Sequence, residues 1–172
     1  MNVTSGSHRR CNIVFDNPNL DGIYTPPLAY AQSKTANILM ANEIERLYGG
    51  DSGKNNNSPG MIHGISVHPG CIITNLQQHQ LRTPEEREAF LQSSPVLRKV
   101  LKSTAQGAAT QVWAAVAKIW EGKGAVYLED CRLGVEVEEP DIVTGGYKAY
   151  VFDVEGQKKL WDLSCRMVSI DT

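Results

Sequence analysis

Short β-prone runs alternate with longer helical patterns along this chain, and that alternation constrains its fold more than any other feature. The longest pattern, Leu28 to Tyr48, carries Ala29, Leu39, Met40, Ile44 and Leu47 as an apolar face at helical spacing. Pro26 and Pro27 suit its first turn, where no backbone donor is needed, and Gly49-Gly50 stop it. Ahead of it, Met1 to Ser5 reads as the end of a strand that turns at Gly6-Ser7. Arg9 to Pro27, interrupted by Asn17-Pro18-Asn19, reads as a long surface loop. Beyond it, His63 to His68 is a second β-prone run delivered into a turn at Pro69-Gly70. A helix opens at Pro84 with acids in its first turn, and a second helix, rich in small residues, spans Ser103 to Trp120 with Ala108, Val112, Ala115, Val116 and Ile119 on its apolar face. Gly124 to Leu128 is a third strand, and Val154 to Val168 a terminal helix with Leu160, Trp161, Leu163 and Met167 inward. The order β, α, β, α, β, α predicts an α/β fold on a parallel sheet with right-handed crossovers.

At 172 residues the chain has the length of one domain, taken as 1–172. Its 17 basic and 19 acidic residues are mixed, so no positive field favours nucleic acid and no polybasic patch favours a membrane. Cys11, Cys71, Cys131 and Cys165 are far apart and form no CxxC pair, which predicts free thiols, a reducing compartment and no metal site. There is no apolar run of membrane-span length, and MNVTSGSHRR lacks the apolar stretch of a signal peptide, so the expected location is cytoplasmic. The Asn-x-Ser/Thr triplets at Asn2 and Asn56 are expected to be chance matches. Asp51 to Gly60, rich in Gly, Asn and Ser, is expected to be an insertion without a role in packing or chemistry.

Tyr30 and Lys34 stand four apart on the strongest helix, hence on one face and one turn from each other. An ammonium near a phenol favours the phenolate, so the pair could exchange a proton with a substrate hydroxyl or carbonyl near neutral pH. A hydroxyl on a neighbouring strand end, such as Ser5, could hold a carbonyl oxygen as charge develops on it. Tyr-x-x-x-Lys alone occurs in many helices by chance, with the tyrosine half buried and the lysine solvated. The ordered set carries more weight: a strand ending in Thr4-Ser5, a helix opening with Tyr30-Ala31-Gln32-Ser33-Lys34, and a strand ending in His68-Pro69-Gly70-Cys71-Ile72-Ile73-Thr74.

That set resembles the short-chain dehydrogenase/reductase superfamily, whose catalytic helix carries Tyr-x-x-x-Lys and whose next strand leads into Pro-Gly-x-x-x-Thr. Val3-Thr4-Ser5-Gly6-Ser7-His8 and Leu28-Ala29-Tyr30-Ala31-Gln32-Ser33-Lys34-Thr35-Ala36-Asn37 are most similar to its retinol-dehydrogenase-like and WW-domain-oxidoreductase-like branch. The resemblance implies a partial Rossmann-like doubly wound parallel sheet, the last three strands with flanking helices, in the C-terminal catalytic half of one such domain. It implies an NAD(P)-dependent oxidoreductase interconverting an alcohol and a carbonyl, with Tyr30 as general acid/base and Ser5 orienting the substrate oxygen. Thr4 is the alternative hydroxyl, and Ser7 a third. Lys34 would hydrogen-bond the nicotinamide ribose while tuning Tyr30, and Pro69, Gly70, Ile72 and Thr74 would sit beside the nicotinamide and pyrophosphate. The cofactor would be NADP or NAD, the branch favouring NADP. The substrate would be a small lipophilic or aromatic alcohol or carbonyl, with Leu76 to Val100 as its lid. The family implies either a homodimer through the tyrosine-bearing helix or a monomer.

The chain departs from the family's pattern where the family begins. It has no Thr-Gly-x-x-x-Gly-x-Gly turn to hold a pyrophosphate and no Asn-Asn-Ala-Gly segment. The expectation is a truncated product or incomplete gene model, with an open sheet edge at its first strand and weak or no cofactor binding alone. A second reading is a non-catalytic fragment or pseudoenzyme that uses this edge to associate with a partner; a third is an α/β domain in which Tyr30 and Lys34 are structural. His8, His63, His68 and His79 are expected to be surface or locally bonded histidines, Trp113, Trp120 and Trp161 packing or rim residues, and Val135 to Glu139 a solvated acidic stretch.

Overall fold

The computed structural model describes residues 1–50, 62–78, 82–92, 95–138 and 145–170. The expected insertion at 51–60 with its Asn56 triplet, His79 and Glu139 lie outside the described residues. Within them the strands are β1 (Asn2–Val3), β2 (Ile65–His68), β3 (Cys71–Ile72), β4 (Leu101–Lys102), β5 (Val126–Glu129) and β6 (Arg132–Leu133). The helices are α1 (Pro26–Tyr48), α2 (Pro84–Gln92), α3 (Pro95–Val100), α4 (Thr104–Val116) and α5 (Val154–Met167).

The main sheet runs β1-β2-β5-β6, its first three strands parallel and β6 folded back antiparallel on β5. A parallel pair needs a crossover, and α1 and α4 supply the two that the sequence order requires. Side chains alternate along a strand. Ile65 and Val67 of β2, with Leu128 of β5, therefore pack with Ala114 of α4 and Trp120 on one face. Tyr127 points the other way and packs with Ile38 of α1 and Val151. α5 closes that second face through Leu160, which meets Leu39 and Ile13. Helices thus lie on both faces of a parallel sheet, the doubly wound arrangement expected.

α1 starts where the sequence says it should. The Thr25 hydroxyl accepts from the Leu28 N–H, and two prolines occupy the first positions. Of its expected apolar face Leu39 is buried and Met40 packs beside it, but the buried side is wider and reaches polar residues. Ala31, Thr35, Ile38, Leu39, Ala41, Asn42 and Glu43 face inward, whereas Leu47 is exposed. Polar members of this face are bonded, Asn42 Nδ2 donating to the Val151 carbonyl at 2.8 Å and the Glu43 carboxylate pairing with Arg46.

α4 corrects a second expectation. It ends at Val116, a separate 3-10 turn spans Lys118–Trp120, and Val112, Val116 and Ile119 face solvent. The buried stripe is Gly107, Thr110 and Ala114, because the helix lies so close to the sheet side that only small residues fit. Met167 of α5 is likewise exposed. The third strand runs to Glu129 instead of Leu128, and β3, β4, β6 and α3 were not expected from the sequence. Trp113 and Trp120 pack edge to face at 4.9 Å, and Trp161 lies 6.0 Å from Tyr48. Among the described residues no helix is long and apolar enough to cross a membrane. All four cysteines are free thiols.

Candidate active site

In an open parallel sheet the carboxyl ends of the strands form the natural binding crevice, since every chain exit on that side is a loop free to vary. Here β1 delivers Thr4-Ser5 to that edge, β2 delivers Pro69-Gly70, and β5 delivers Asp130. α1 returns alongside β1 with Tyr30 and Lys34 in its first turns.

The two candidate hydroxyls at the end of β1 have different surroundings. Thr4 is 2% exposed, and its hydroxyl donates to the Lys34 carbonyl at 2.7 Å, tying strand to helix. Ser5 is half-buried and caps the 3-10 turn Gly6–Arg10, its oxygen accepting from the Ser7 N–H at 3.2 Å. Accepting leaves the Ser5 hydroxyl proton to be donated elsewhere. Ser7 contributes its backbone N–H to this cap.

Tyr30 and Lys34 are both half-buried, and the Lys34 ammonium lies 5.5 Å from the centre of the Tyr30 ring. That is within the range of attraction between a cation and an aromatic face. The same ammonium donates to the Val3 carbonyl at 3.2 Å, and Asn37 Nδ2 donates to that carbonyl at 2.9 Å. Asn2, one of the triplet asparagines, donates from Nδ2 to the Asn37 carbonyl at 2.9 Å. Strand end and helix are therefore stitched together in this corner by side chains of both.

Gly70 has φ +90°, a backbone conformation that L side chains rarely adopt. A Cβ there would also crowd the Lys102 side chain, which is ion-paired with Asp130. Ile72 pairs with Lys102 across β3 and β4, and its side chain presses on Gly107 of α4. Thr74 is exposed and caps the turn Asn75–Gln77: its oxygen accepts from the Leu76 N–H at 3.2 Å, and its own N–H donates to Gln77 Oε1 at 2.8 Å. The expected lid, where described, consists of that turn, α2 and α3, and is largely exposed.

Beneath this edge lies a buried polar layer that the sequence did not announce. His8 Nδ1 is 2.6 Å from the Ser5 carbonyl, and its ring centre is 5.3 Å from that of Tyr127. Burial lowers the His8 pKa to about 4, against the opposing pull of its bond to Ser5. His68, at the end of β2, is also lowered to about 4, mainly by burial and then by the neighbouring Arg9. Its Nδ1 accepts from the Gly70 N–H at 3.4 Å. Arg9 donates from Nε to the Gly6 carbonyl at 3.2 Å and from its guanidinium to the Gly145 carbonyl. The Glu129 carboxyl accepts from the Gly146 N–H at 2.6 Å, and burial raises its pKa. Burial also raises the Tyr127 phenol, and lifts that of Tyr150 to about 12. His63 is locally bonded instead, 3.1 Å from the Glu45 carboxylate. Among the described residues no cluster of His, Cys, Asp or Glu could hold a metal ion.

An apolar groove of about 360 Å³ lies elsewhere, between the loop around Leu20, another face of α1, and α5. Ala29, Ser33 and Ala36 line it, and none of the residues at the carboxyl edge does.

No family model matches the chain. It is 45% identical over 170 residues to the short-chain dehydrogenase/reductase prx1 of Penicillium roqueforti, a match covering 99% of this chain and 46% of that protein. It is 40% identical to oxidoreductase calI of Penicillium decumbens, over 99% of this chain and 48% of that one. It is 29% identical to human retinol dehydrogenase 14, over 98% of this chain and 43% of that one. The chain spans about half the length of the curated relatives it matches. Among solved structures, an uncharacterized protein from Mycobacterium paratuberculosis matches with a TM-score of 0.58 at 20% identity, covering 98% of this chain and 49% of that one, which supports the fold alone.

Proposed function

Since this chain is homologous over nearly its whole length to the C-terminal half of short-chain dehydrogenase/reductases, we propose that residues 1–172 are the catalytic portion of one such domain, an NAD(P)-dependent oxidoreductase of alcohols and carbonyls. The carrying observation is the Lys34 ammonium 5.5 Å from the Tyr30 ring on a half-buried helix face at the carboxyl edge of a parallel sheet. Tyr30 gives its hydroxyl proton to the substrate oxygen in reduction and takes one back in oxidation. Lys34 stabilises the negative charge left on the phenol oxygen, and Ser5 donates its hydroxyl proton to the developing oxyanion. When bound, a nicotinamide cofactor supplies or accepts the hydride.

The donor set fits the nicotinamide end of such a cofactor. Lys34 offers an ammonium for a ribose hydroxyl, and Gly70 leaves bare backbone where a Cβ would be strained and crowded. Pro69, Ile72 and the exposed Thr74 hydroxyl border the same turn. The retinol dehydrogenase likeness favours NADP over NAD and a small lipophilic or aromatic substrate, with residues 76–100 covering it. Four free thiols suit a cytoplasmic location. A homodimer through α1 is one assembly the family implies, and a monomer is the other.

A second reading is supported by β1, which is the outer strand of the sheet and exposed at Val3. On this reading the chain is a non-catalytic fragment that binds a partner through its edge. The test is hydride transfer from NADPH or NADH to benzaldehyde, followed by nicotinamide fluorescence, with the chain alone and joined behind the N-terminal half of the Penicillium roqueforti relative. Turnover in the joined protein that falls about 100-fold or more in Tyr30→Phe supports the enzyme. Unchanged turnover in Tyr30→Phe sinks it, and association of the chain with that half without turnover supports the fragment. Calorimetry of the chain alone should give cofactor binding weaker than micromolar.

A further inference from the structure

The Ser5 turn rests on an imidazole that the chemistry of Tyr30 and Lys34 does not use. His8 is wholly buried, with Nδ1 2.6 Å from the Ser5 carbonyl oxygen. A carbonyl can only accept, so Nδ1 carries the proton, and on a neutral ring Nε2 is then a bare acceptor. That Nε2 is buried and has no hydrogen-bond partner among the described residues. Buried polar atoms are nearly always bonded, so a ring that forgoes one bond to make the other needs a reason.

The surroundings supply it. The His8 carbonyl accepts from the Tyr150 hydroxyl, and the Thr35 hydroxyl of α1, 3.2 Å from the same carbonyl, donates to the Cys11 carbonyl at 2.8 Å. The His8 N–H also donates to the Ser5 carbonyl at 3.1 Å, so backbone and ring close the same turn. The Ser7 N–H fixes the Ser5 oxygen from the other side at 3.2 Å. The groups facing the ring are Arg9, His68, Tyr127 and Tyr150. Burial first, and the neighbouring Arg9 cation after it, disfavour a charge on the ring. The opposite tautomer would turn a lone pair on the carbonyl oxygen and push the turn open.

We propose that His8, as the neutral ring protonated at Nδ1, is a positioning residue that fixes the Ser5 turn and with it the direction of the Ser5 hydroxyl. The proposal rests on the reading of Ser5 as the substrate-orienting donor. A leucine would fill the same space and leave the carbonyl without its ring donor. An asparagine places an amide nitrogen where Nδ1 stands and keeps it.

The test uses the full chain labelled with ¹⁵N and ¹³C. Long-range proton–nitrogen spectra at neutral pH read the His8 ring, and carbonyl spectra read Ser5 in the wild type, His8→Asn and His8→Leu. Expected are a protonated Nδ1 with an unprotonated Nε2, a Ser5 carbonyl shift that moves in His8→Leu, and its return toward the wild-type value in His8→Asn. A ring protonated at Nε2, a charged ring, or a Ser5 carbonyl indifferent to His8→Leu would overturn the proposal. If His8→Leu does not fold, the wild-type tautomer and the His8→Asn carbonyl decide. Tyr30→Phe leaves this signature in place, so failure of the acid/base assignment and failure of the His8 role are separate results. In the hydride-transfer assay, Ser5→Ala and His8→Leu each lower kcat about 10-fold or more and together no more than the larger of the two; multiplied losses overturn the coupling.

Discussion

Thr4 and Ser5 carry the same functional group on adjacent residues and stand in opposite situations. Thr4 is sealed in and donates to α1, while Ser5 stands half-open at the turn. Thr4→Val keeps the shape and removes the bond, so it should lower stability by about 1 kcal/mol in urea denaturation. Ser5→Ala removes the cap of the turn Gly6–Arg10, so it should cost up to about 1 kcal/mol as well, and what sets it apart is a loss of turnover that Thr4→Val does not share. Turnover lost in Thr4→Val and kept in Ser5→Ala would mean that the two roles have been assigned the wrong way round. The sequence offered Ser5 first, by alignment, and Thr4 as the alternative, because spacing alone cannot say which hydroxyl is buried. Tyr30 and Lys34 were legible for a firmer reason: the helical period puts positions four apart on one face whatever surrounds them. His8 was not legible, since it lies in a stretch with no periodicity and becomes a core residue only when the turn Gly6–Arg10 tucks under α1.

At the scale of elements, the sequence predicted the helices better than their faces. Val112, Val116 and Ile119 seemed to mark the inner side of the expected helix, yet closeness to the sheet selected Gly107, Thr110 and Ala114. A Cβ on Gly107 would run into the Ile72 side chain, with Cγ1 at 2.8 Å and Cδ1 nearer still. Gly107→Ala gains about 1 kcal/mol of helix propensity and loses about 1–3 kcal/mol to overpacking, so the net effect should be destabilising. Adding Ile72→Val, which deletes Cδ1, should recover part of the loss in thermal melts. If Gly107→Ala alone raised the melting temperature, the close approach of α4 to the Ile72 turn would be refuted. α4 also begins with a reciprocal cap, Ser103 accepting from the Gln106 N–H at 3.2 Å and Gln106 Oε1 accepting from the Ser103 N–H at 2.8 Å. Ser103→Ala should therefore cost about 1 kcal/mol. The short strands β3, β4 and β6 escaped the sequence because two-residue segments carry no readable alternation.

For the molecule as a whole, the buried histidines set its response to acid. His8 and His68 have folded pKa values near 4 against an ordinary 6.5, so the unfolded chain takes up their protons first. Their contribution is complete above about pH 6.5 and is lost as pH falls toward 4, by up to about 3 kcal/mol for His8 alone. Glu129 works in the other direction: its raised pKa stabilises the fold at low pH and that contribution is lost as pH rises. The histidines' share should lower urea midpoints between neutral pH and pH 4, and His8→Asn should flatten the slope. A profile in the variant as steep as in the wild type would remove His8 from the account. The α/β class and the parallel sheet were readable because strand and helix alternate in sequence; the acid response was not, because it depends on which histidines are buried. The corner at Val3 has a consequence for assembly. One backbone oxygen on the outermost strand holds both the Lys34 ammonium and the Asn37 amide. A neighbouring strand laid along that edge would compete for the oxygen and release the lysine, so extending the sheet and freeing the cation beside Tyr30 would be a single event.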